Sequence, residues 1–261
     1  MRIVSLASGS SGNCTLIVSE HARLLIDAGI SRRQVLQRVE RVLGLLPRID
    51  AILLTHEHTD HTSGVSKIAR ALKCPIYTSE GTAPWIEPLL SGGERLLSFK
   101  PGKAFQIRDL AIMPFRIPHD AAEPCGFVLE EDSLFQSITA RVAIATDLGT
   151  VTEEIRDRLV ECDLVMLEAN HDLEMLRNGS YPEDLKQRIL SDVGHLSNDA
   201  AAQTLHYLAQ RGRLRAAVLM HLSKNNNRPM LALKTVQEHL DGTDVSVAVA
   251  PRDRMSAVFT V

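Results

Sequence analysis

Short apolar runs rich in Val, Ile and Leu recur along the chain, each closed by polar residues or glycine. Runs of this kind predict strands over residues 3–7, 14–18, 24–26, 51–54, 75–77, 95–99, 110–117, 127–129, 141–145, 164–167, 215–220, 245–249 and 255–261. Between them, apolar positions three and four apart predict helices. Ser31 caps one that carries Val35, Val39, Val42, Leu43 and Leu46, and Pro47 ends it. Others are expected over 65–72, 82–90, 152–160 and 185–190, after Ser197 or Asn198, and after Pro229, a residue suited to a first helical turn. Residues 130–140 and 178–184 read as polar connections.

No low-complexity linker or composition break interrupts this order, and both halves run from strands into strand–helix alternation. That predicts one domain over residues 1–261, of α/β class (α+β by some schemes), with two sheets face to face and helices outside. The chain is 44% hydrophobic and 23% charged, with a mean hydropathy of -0.02, the composition of an ordinary soluble protein. Apolar runs such as 216–220 are far too short to span a bilayer, and the opening Met1-Arg2-Ile3 passes directly into a strand pattern, so neither membrane span nor signal peptide is expected. Cys14, Cys74, Cys125 and Cys162 form no Cys-x-x-Cys pair, which argues against a zinc ribbon and for core thiols in a reducing cytoplasm. A net charge of -3 spreads no cationic field over the molecule, so any contact with phosphates must be local.

Chemistry concentrates where strands end. Thr55-His56-Glu57-His58-Thr59-Asp60-His61 follows the apolar run 51–54, and this tight strand-to-helix turn gathers four side chains able to bind a divalent ion. A solvated loop is the plain alternative, but histidine is scarce and strand ends are where folds present site residues. Later strands deliver His119, Asp147 and His221 in the same way. The Gly- and Ser-rich loop at residues 8–13 lets backbone N–H groups approach an anion, yet lacks the spacing of a phosphate loop and also suits a bare hairpin.

The His-x-His-x-Asp-His pattern resembles the metallo-β-lactamase superfamily. The resemblance implies a four-layer αβ/βα sandwich of two mixed sheets, with His56, His58 and His119 on a first metal and Asp60, His61 and His221 on a second. Asp147 would bridge them, and Asp27 would support a ligand from behind. Two divalent ions, zinc or manganese with iron also accepted, would share a hydroxide and polarise a phosphoryl or carbonyl oxygen, which implies a hydrolase. Glu168, in Glu-Ala-Asn-His-Asp, and His195, in Gly-His-Leu-Ser-Asn, look like the pair that phosphodiesterases of the superfamily, including PhnP-type enzymes and the tRNA 3′-processing enzymes, use to bind phosphate and protonate the leaving group. Asp60, His195 and Glu168 are thus the expected catalytic groups. Lys224, Ser223 and Asn225 after the last ligand, with Asn170 and His171, are candidate substrate contacts, His171 being equally readable as a spacer.

Over nearly its full length the chain resembles the YycJ/WalJ group, on residues 5–14, 168–172, 194–198 and 221–224. That implies a 5′→3′ exonuclease acting on DNA, with a role in mismatch repair. Only a modest stretch separates Asp147 from His221, so the β-CASP insert of larger nucleases is absent. Other readings are a small cyclic phosphodiester substrate of the phosphoribosyl 1,2-cyclic phosphate type, thioester or lactam hydrolysis on the same metals, and a non-catalytic binding module. His58 stands where flavin-linked relatives carry a carboxylate, which disfavours redox use.

Overall fold

The computed structural model describes residues 1–44, 48–132 and 138–261. The first half supplies strands β1 (Arg2–Ala7), β2 (Cys14–Val18), β3 (Arg23–Ile26), β4 (Ala51–Leu53), β5 (Ile76–Ser79) and β6 (Leu96–Phe99). With them come helices α1 (Arg32–Leu43), α2 (Thr59–Thr62), α3 (Val65–Leu72) and α4 (Ala83–Ile86). The second half supplies β7 (Phe105–Ile107), β8 (Leu110–Arg116), β9 (Cys125–Asp132), β10 (Ile138–Ala145), β11 (Leu164–Glu168), β12 (Ala216–Met220), β13 (Ser246–Val249) and β14 (Phe259–Thr260). Its helices are α5 (Glu153–Leu159), α6 (Leu173–Asn178), α7 (Glu183–Leu190), α8 (Asn198–Arg211) and α9 (Pro229–His239).

These strands form two sheets, in the orders β14-β1-β2-β3-β4-β5-β6 and β13-β12-β11-β10-β9-β8-β7. Each is mixed: β1 to β3 are antiparallel and β3 to β6 parallel, while β7 to β10 are antiparallel and β10 to β13 parallel. Alternation along the strands assigns each face. Ile3, Leu24, Ile26 and Leu53 meet Ile112, Phe127, Ile144 and Met166 between the sheets. Their neighbours Val4, Leu25 and Ile52 face Val35 and Val39 of α1 and Ile68 of α3. On the other side, Val165, Leu167 and Leu219 pack on Leu159 of α5, Leu205 of α8 and Val236 of α9. The result is the expected four layers, helix, sheet, sheet, helix. No helix among the described residues is long and apolar enough to cross a membrane.

Several boundaries differ from the sequence reading, for local reasons. Helix α1 stops at Leu43 because Gly44 adopts a left-handed conformation, φ 77°, and its N–H donates to the Glu40 carbonyl at 2.7 Å. Leu46 and Pro47 lie outside the described residues. The helix expected over 82–90 breaks into α4 and a 3-10 turn at Glu87–Leu89, where Pro88 has no N–H to give. Strands β9 and β10 reach well into the connection expected at 130–140. Helix α6 precedes the loop expected at 178–184, and α7 starts two residues early, at Glu183. Only Phe259–Thr260 of the last expected strand pairs.

Candidate active site

The site occupies the carboxyl ends of strands from both sheets. After β4 the chain turns through Thr55, whose N–H and hydroxyl donate to Asp27 Oδ1 at 2.9 and 3.0 Å. The turn that follows is packed backbone to backbone: Asn13 N–H donates to the Asp60 carbonyl, and Ala28 N–H to that of His61, both at 2.8 Å. A Cβ on Gly29 would lie 1.6 Å from the Asp60 carbonyl oxygen, so only glycine permits this approach. Asp27 and His221, each directly after a strand, and Asp147, two residues after one, have φ of 62°, 54° and 60°. These residue types tolerate the left-handed region better than most, and three such backbones at one site store strain of about 1–3 kcal/mol each.

The structure brings together every ligand anticipated from the sequence. His56, His58 and His119 have ring centroids 4.6 to 5.1 Å apart. His61 Nε2 lies 3.6 Å from Asp60 Oδ2 and 3.2 Å from Asp147 Oδ2, and His221 Nε2 lies 3.4 Å from Asp60 Oδ2. Donor atoms fall within 4.8 Å of one another in the sets His56/His58/His119, Asp60/His61/His221 and His56/His61/Asp147, which places Asp147 at the first two sets together. Four imidazoles are tied through Nδ1: His56 to Thr55 Oγ1 at 2.9 Å, His61 to Asp27 Oδ2 at 2.7 Å, His119 to the carbonyls of Val193 and Gly194 at 3.2 Å, and His221 to Glu168 Oε1 at 2.8 Å. Such ties fix the ring and leave Nε2 for an ion. His56 Nε2 and His119 Nε2 are buried without a hydrogen-bond partner, a loss that bound ions would make good. The cluster is therefore able to hold metal ions. Its nitrogen-rich part suits zinc, and its mixed part also suits manganese or iron.

Electrostatics divide these residues. Burial, with His61 adjacent, holds His56 well below the usual imidazole range, and burial lowers His119 too, so both present neutral nitrogens. Burial opposes charge on His61 as well, but Asp27 and Asp147 outweigh it and raise the imidazole well above its ordinary value. His221 is likewise raised against burial, chiefly by Asp147, to about 10. Asp147 stays ionised because His221 and His61 overcome its desolvation. The protons on His61 and His221 stand where cations belong, and an ion that binds there displaces them.

Behind this cluster, Glu168 is 0% exposed. Its Oε1 accepts from Nδ1 of both His195 and His221 at 2.8 Å, and its Oε2 from the N–H groups of Leu148 and Leu196 at 2.9 and 3.2 Å. Burial would raise its pKa, but the His195 charge and hydrogen bond bring it down to about 2. Enclosed in this way Glu168 touches no phosphate. The catalytic role expected of it becomes one of positioning, because it fixes two histidines at once. His195 is the partner at the surface, its side chain 24% exposed, lining a cavity of about 200 Å³ with Ser10, Asn170, Tyr181 and Ser223. Burial lowers its tendency to protonate, yet Glu168 prevails and holds the imidazole above its ordinary value.

The candidate substrate contacts separate. Ser223 and Asn170 reach the His195 cavity, where Asn170 Nδ2 also donates to the His221 carbonyl at 2.9 Å. Lys224 and Asn225 line the adjoining, larger groove with Ser223. His171 is enclosed: it is 1% exposed, burial lowers its pKa to about 4, and its carbonyl accepts from Asn198 N–H at 2.8 Å, so its side chain offers the cavity no surface.

Three supporting residues escaped the sequence reading. Asn13 places Nδ2 2.9 Å from His61 Nε2 and 3.3 Å from Asp60 Oδ2 while its Oδ1 accepts from Gly9 N–H. Ser8 Oγ accepts from His221 N–H at 2.8 Å. Asn227 Nδ2 donates to the carbonyls of Ala169 and Asn170 at 2.9 and 3.0 Å, bracing the Glu168 segment. The loop at 8–13, read as a hairpin or anion nest, is thus a brace between the first strand and the last ligand.

Residues 22–222 match a family described as the beta-lactamase superfamily domain. The exodeoxyribonuclease WalJ of Streptococcus pneumoniae serotype 2 (strain D39) is 36% identical over 249 residues, 94% of this chain and 90% of that protein. The exodeoxyribonuclease YycJ of Bacillus anthracis is 33% identical over 247 residues, 94% and 91% of the two chains. Among solved structures, the metallo-beta-lactamase fold protein YhfI of Bacillus subtilis superposes with a TM-score of 0.71 over 100% of both chains at 16% identity, a likeness of fold.

Proposed function

Because the chain belongs to the beta-lactamase superfamily, in the group of the WalJ and YycJ exodeoxyribonucleases, we propose that it is a metal-dependent phosphodiesterase that degrades DNA from an end, in the 5′→3′ direction. The reading takes residues 1–261 as one domain without a β-CASP insert, working in the cytoplasm and in DNA repair. His56, His58 and His119 would hold one divalent ion, Asp60, His61 and His221 a second, and Asp147 would serve both. Bound there, the ions supply an activated water and neutralise charge building on the phosphoryl oxygens.

The observation that carries the reading is the His195–Glu168 pair, 2.8 Å apart at the rim of the ligand cluster. A departing sugar alkoxide needs a proton, and a histidine held above its ordinary pKa by a carboxylate can give it at neutral pH. Nδ1 is committed to Glu168, so the proton leaves from Nε2, and Glu168 stabilises the imidazolium until then. Asp60, 23% exposed, would hold the second ion with His61 and His221 and so help orient the water that ion supplies. A thiolate, the group a thioester releases, is far less basic than an alkoxide and asks less of such an acid.

Purified protein loaded with zinc or with manganese, given end-labelled single- and double-stranded oligonucleotides, should release mononucleotides. His195→Ala should slow this by about 10²- to 10⁴-fold. Inertness towards every DNA end, together with rapid opening of a phosphoribosyl 1,2-cyclic phosphate, would move the assignment to the small-molecule substrate. Undiminished turnover of a thioester by His195→Ala would move it out of phosphodiester chemistry.

A further inference from the structure

The cavity at His195 does not end there. Ser10, Tyr181 and Ser223 line it and also line a groove of about 720 Å³ that runs on past Lys224 to Arg252 and Arg254. The shared walls make one trough leading away from the ligand cluster. Its larger part carries Lys224, Arg252 and Arg254 against the single carboxylate of Asp253, a surplus of two positive charges in a chain whose net charge is -3. None of these three cations forms an ion pair among the described residues, whereas Asp120 in the smaller part is paired with Arg188. The segment is anchored on either side of Asp253's exposed carboxylate: Arg38 Nη2 donates to the Asp253 carbonyl at 2.6 Å, and the Arg252 stem lies against Gly9. Tyr181 stands half-buried at the junction, its hydroxyl accepting from Asn225 Nδ2 at 3.1 Å.

A positively charged groove beside an aromatic ring is the combination that binds single-stranded nucleic acid, the cations on the phosphates and the ring against a base. We propose that the trough holds the length of DNA strand continuing from the scissile phosphate, with Lys224, Arg252 and Arg254 on its backbone and Tyr181 stacking on a base near the reacting end. Ser10 and Ser11 of the glycine- and serine-rich loop form part of its wall. The inference rests on the exonuclease reading, since it assigns the remainder of that substrate a place.

The test titrates holoenzyme with a fluorescent single-stranded oligonucleotide of about 12 nucleotides, inside the range of about 4–16 that one binding module covers. Phosphorothioate linkages protect it from cleavage. Arg252→Ala/Arg254→Ala should weaken binding about tenfold and flatten the dependence of log affinity on log salt by about 1.4, which is 0.7 for each lost phosphate contact. Tyr181→Ala should weaken binding without changing that slope, and Lys234→Ala, an exposed α9 residue outside the trough lining and paired with Glu238, should change neither. Turnover of bis(p-nitrophenyl) phosphate, too small to reach the arginines, should be the same in the double variant as in the wild type. Unaltered affinity and slope in the double variant, with DNA cleavage intact in the wild type, would overturn the trough and leave the exonuclease standing. Trough-dependent binding by a wild type that cleaves no DNA would keep the trough and remove the exonuclease. A wild type that binds no oligonucleotide would overturn the trough.

Discussion

Replacing Glu168 by Gln exchanges one carboxylate oxygen for an amide nitrogen at nearly constant volume, in a pocket where all four surrounding groups are donors. Whichever way the amide turns, its NH₂ meets either the two imidazole Nδ1–H groups or the N–H groups of Leu148 and Leu196. Two buried donors lose their acceptor, at about 1–3 kcal/mol each, so the native state weakens by about 2–6 kcal/mol. For a chain of this size that is a fall in Tm of about 4–24 °C, at about 2–4 °C per kcal/mol. Removing a partner that orients a ligand also costs about 10- to 100-fold in activity or metal affinity. The charge has a separate signature. Glu168 is what holds His195 above its ordinary value, so without it the proton donor is lost at lower pH, and the alkaline limb of the kcat/KM profile moves down. Differential scanning calorimetry, metal analysis and a pH–rate profile on an oligonucleotide read the three effects. A variant with unchanged Tm and an unmoved alkaline limb would refute the positioning role.

Other outcomes follow from the same geometry. Gly29→Ala must push the Asp60 carbonyl away and break its bond from Asn13 N–H, so a soluble variant should bind less metal by elemental analysis and lose most activity; full activity would contradict the close approach. Stripping the ions with a chelator should lower Tm by about 8–16 °C relative to protein in about a thousandfold excess over Kd, a linkage of about 4 kcal/mol, and calorimetry should show it reversed on adding metal back. The four thiols are buried, and desolvation pushes Cys74, Cys125 and Cys162 up to about 12 and raises Cys14 as well. Because unfolded thiols ionise near about 8.5 while folded ones keep their protons, stability should fall as pH rises above that value, by about 1.4 kcal/mol per pH unit for each thiol. Denaturation in urea at rising pH checks the slope, and a thiol reagent should find no reactive cysteine in the native protein.

The ligands were legible in the sequence because each sits directly after an apolar run, where strand and site coincide in one short word of sequence. His119 and His221 stand at strand ends, and it is the resemblance carried by the motif at residues 56–61 that marks them as ligands. The layered order was legible because strands such as residues 24–26 and 51–53 are apolar at every position, as strands covered on both faces must be. Of what supports the ligands, Asp27 behind His61 was anticipated, and most of the rest was not. Asn13 and Ser8 act through contacts to His61 and His221, 48 and 213 residues away, and no local pattern distinguishes such a side chain from a turn residue. His171 stayed open between two readings for the opposite reason: a histidine beside Asn170 and Asp172 looks available in a linear sequence, and only packing hides it. β7 is three residues long at a sheet edge, too short for any periodicity to show.

Ser8 and His221 meet across almost the whole chain, and this has a consequence for how the protein is made. The His56 cluster emerges from synthesis 165 residues before His221, the difference between 221 and 56, an interval on the order of ten seconds at about 5–20 residues per second. Throughout it the nascent polypeptide carries a half-built centre without its last ligand or the wall that lies beyond it. Assembled in this order, the cluster is complete only once the second sheet has closed upon the first.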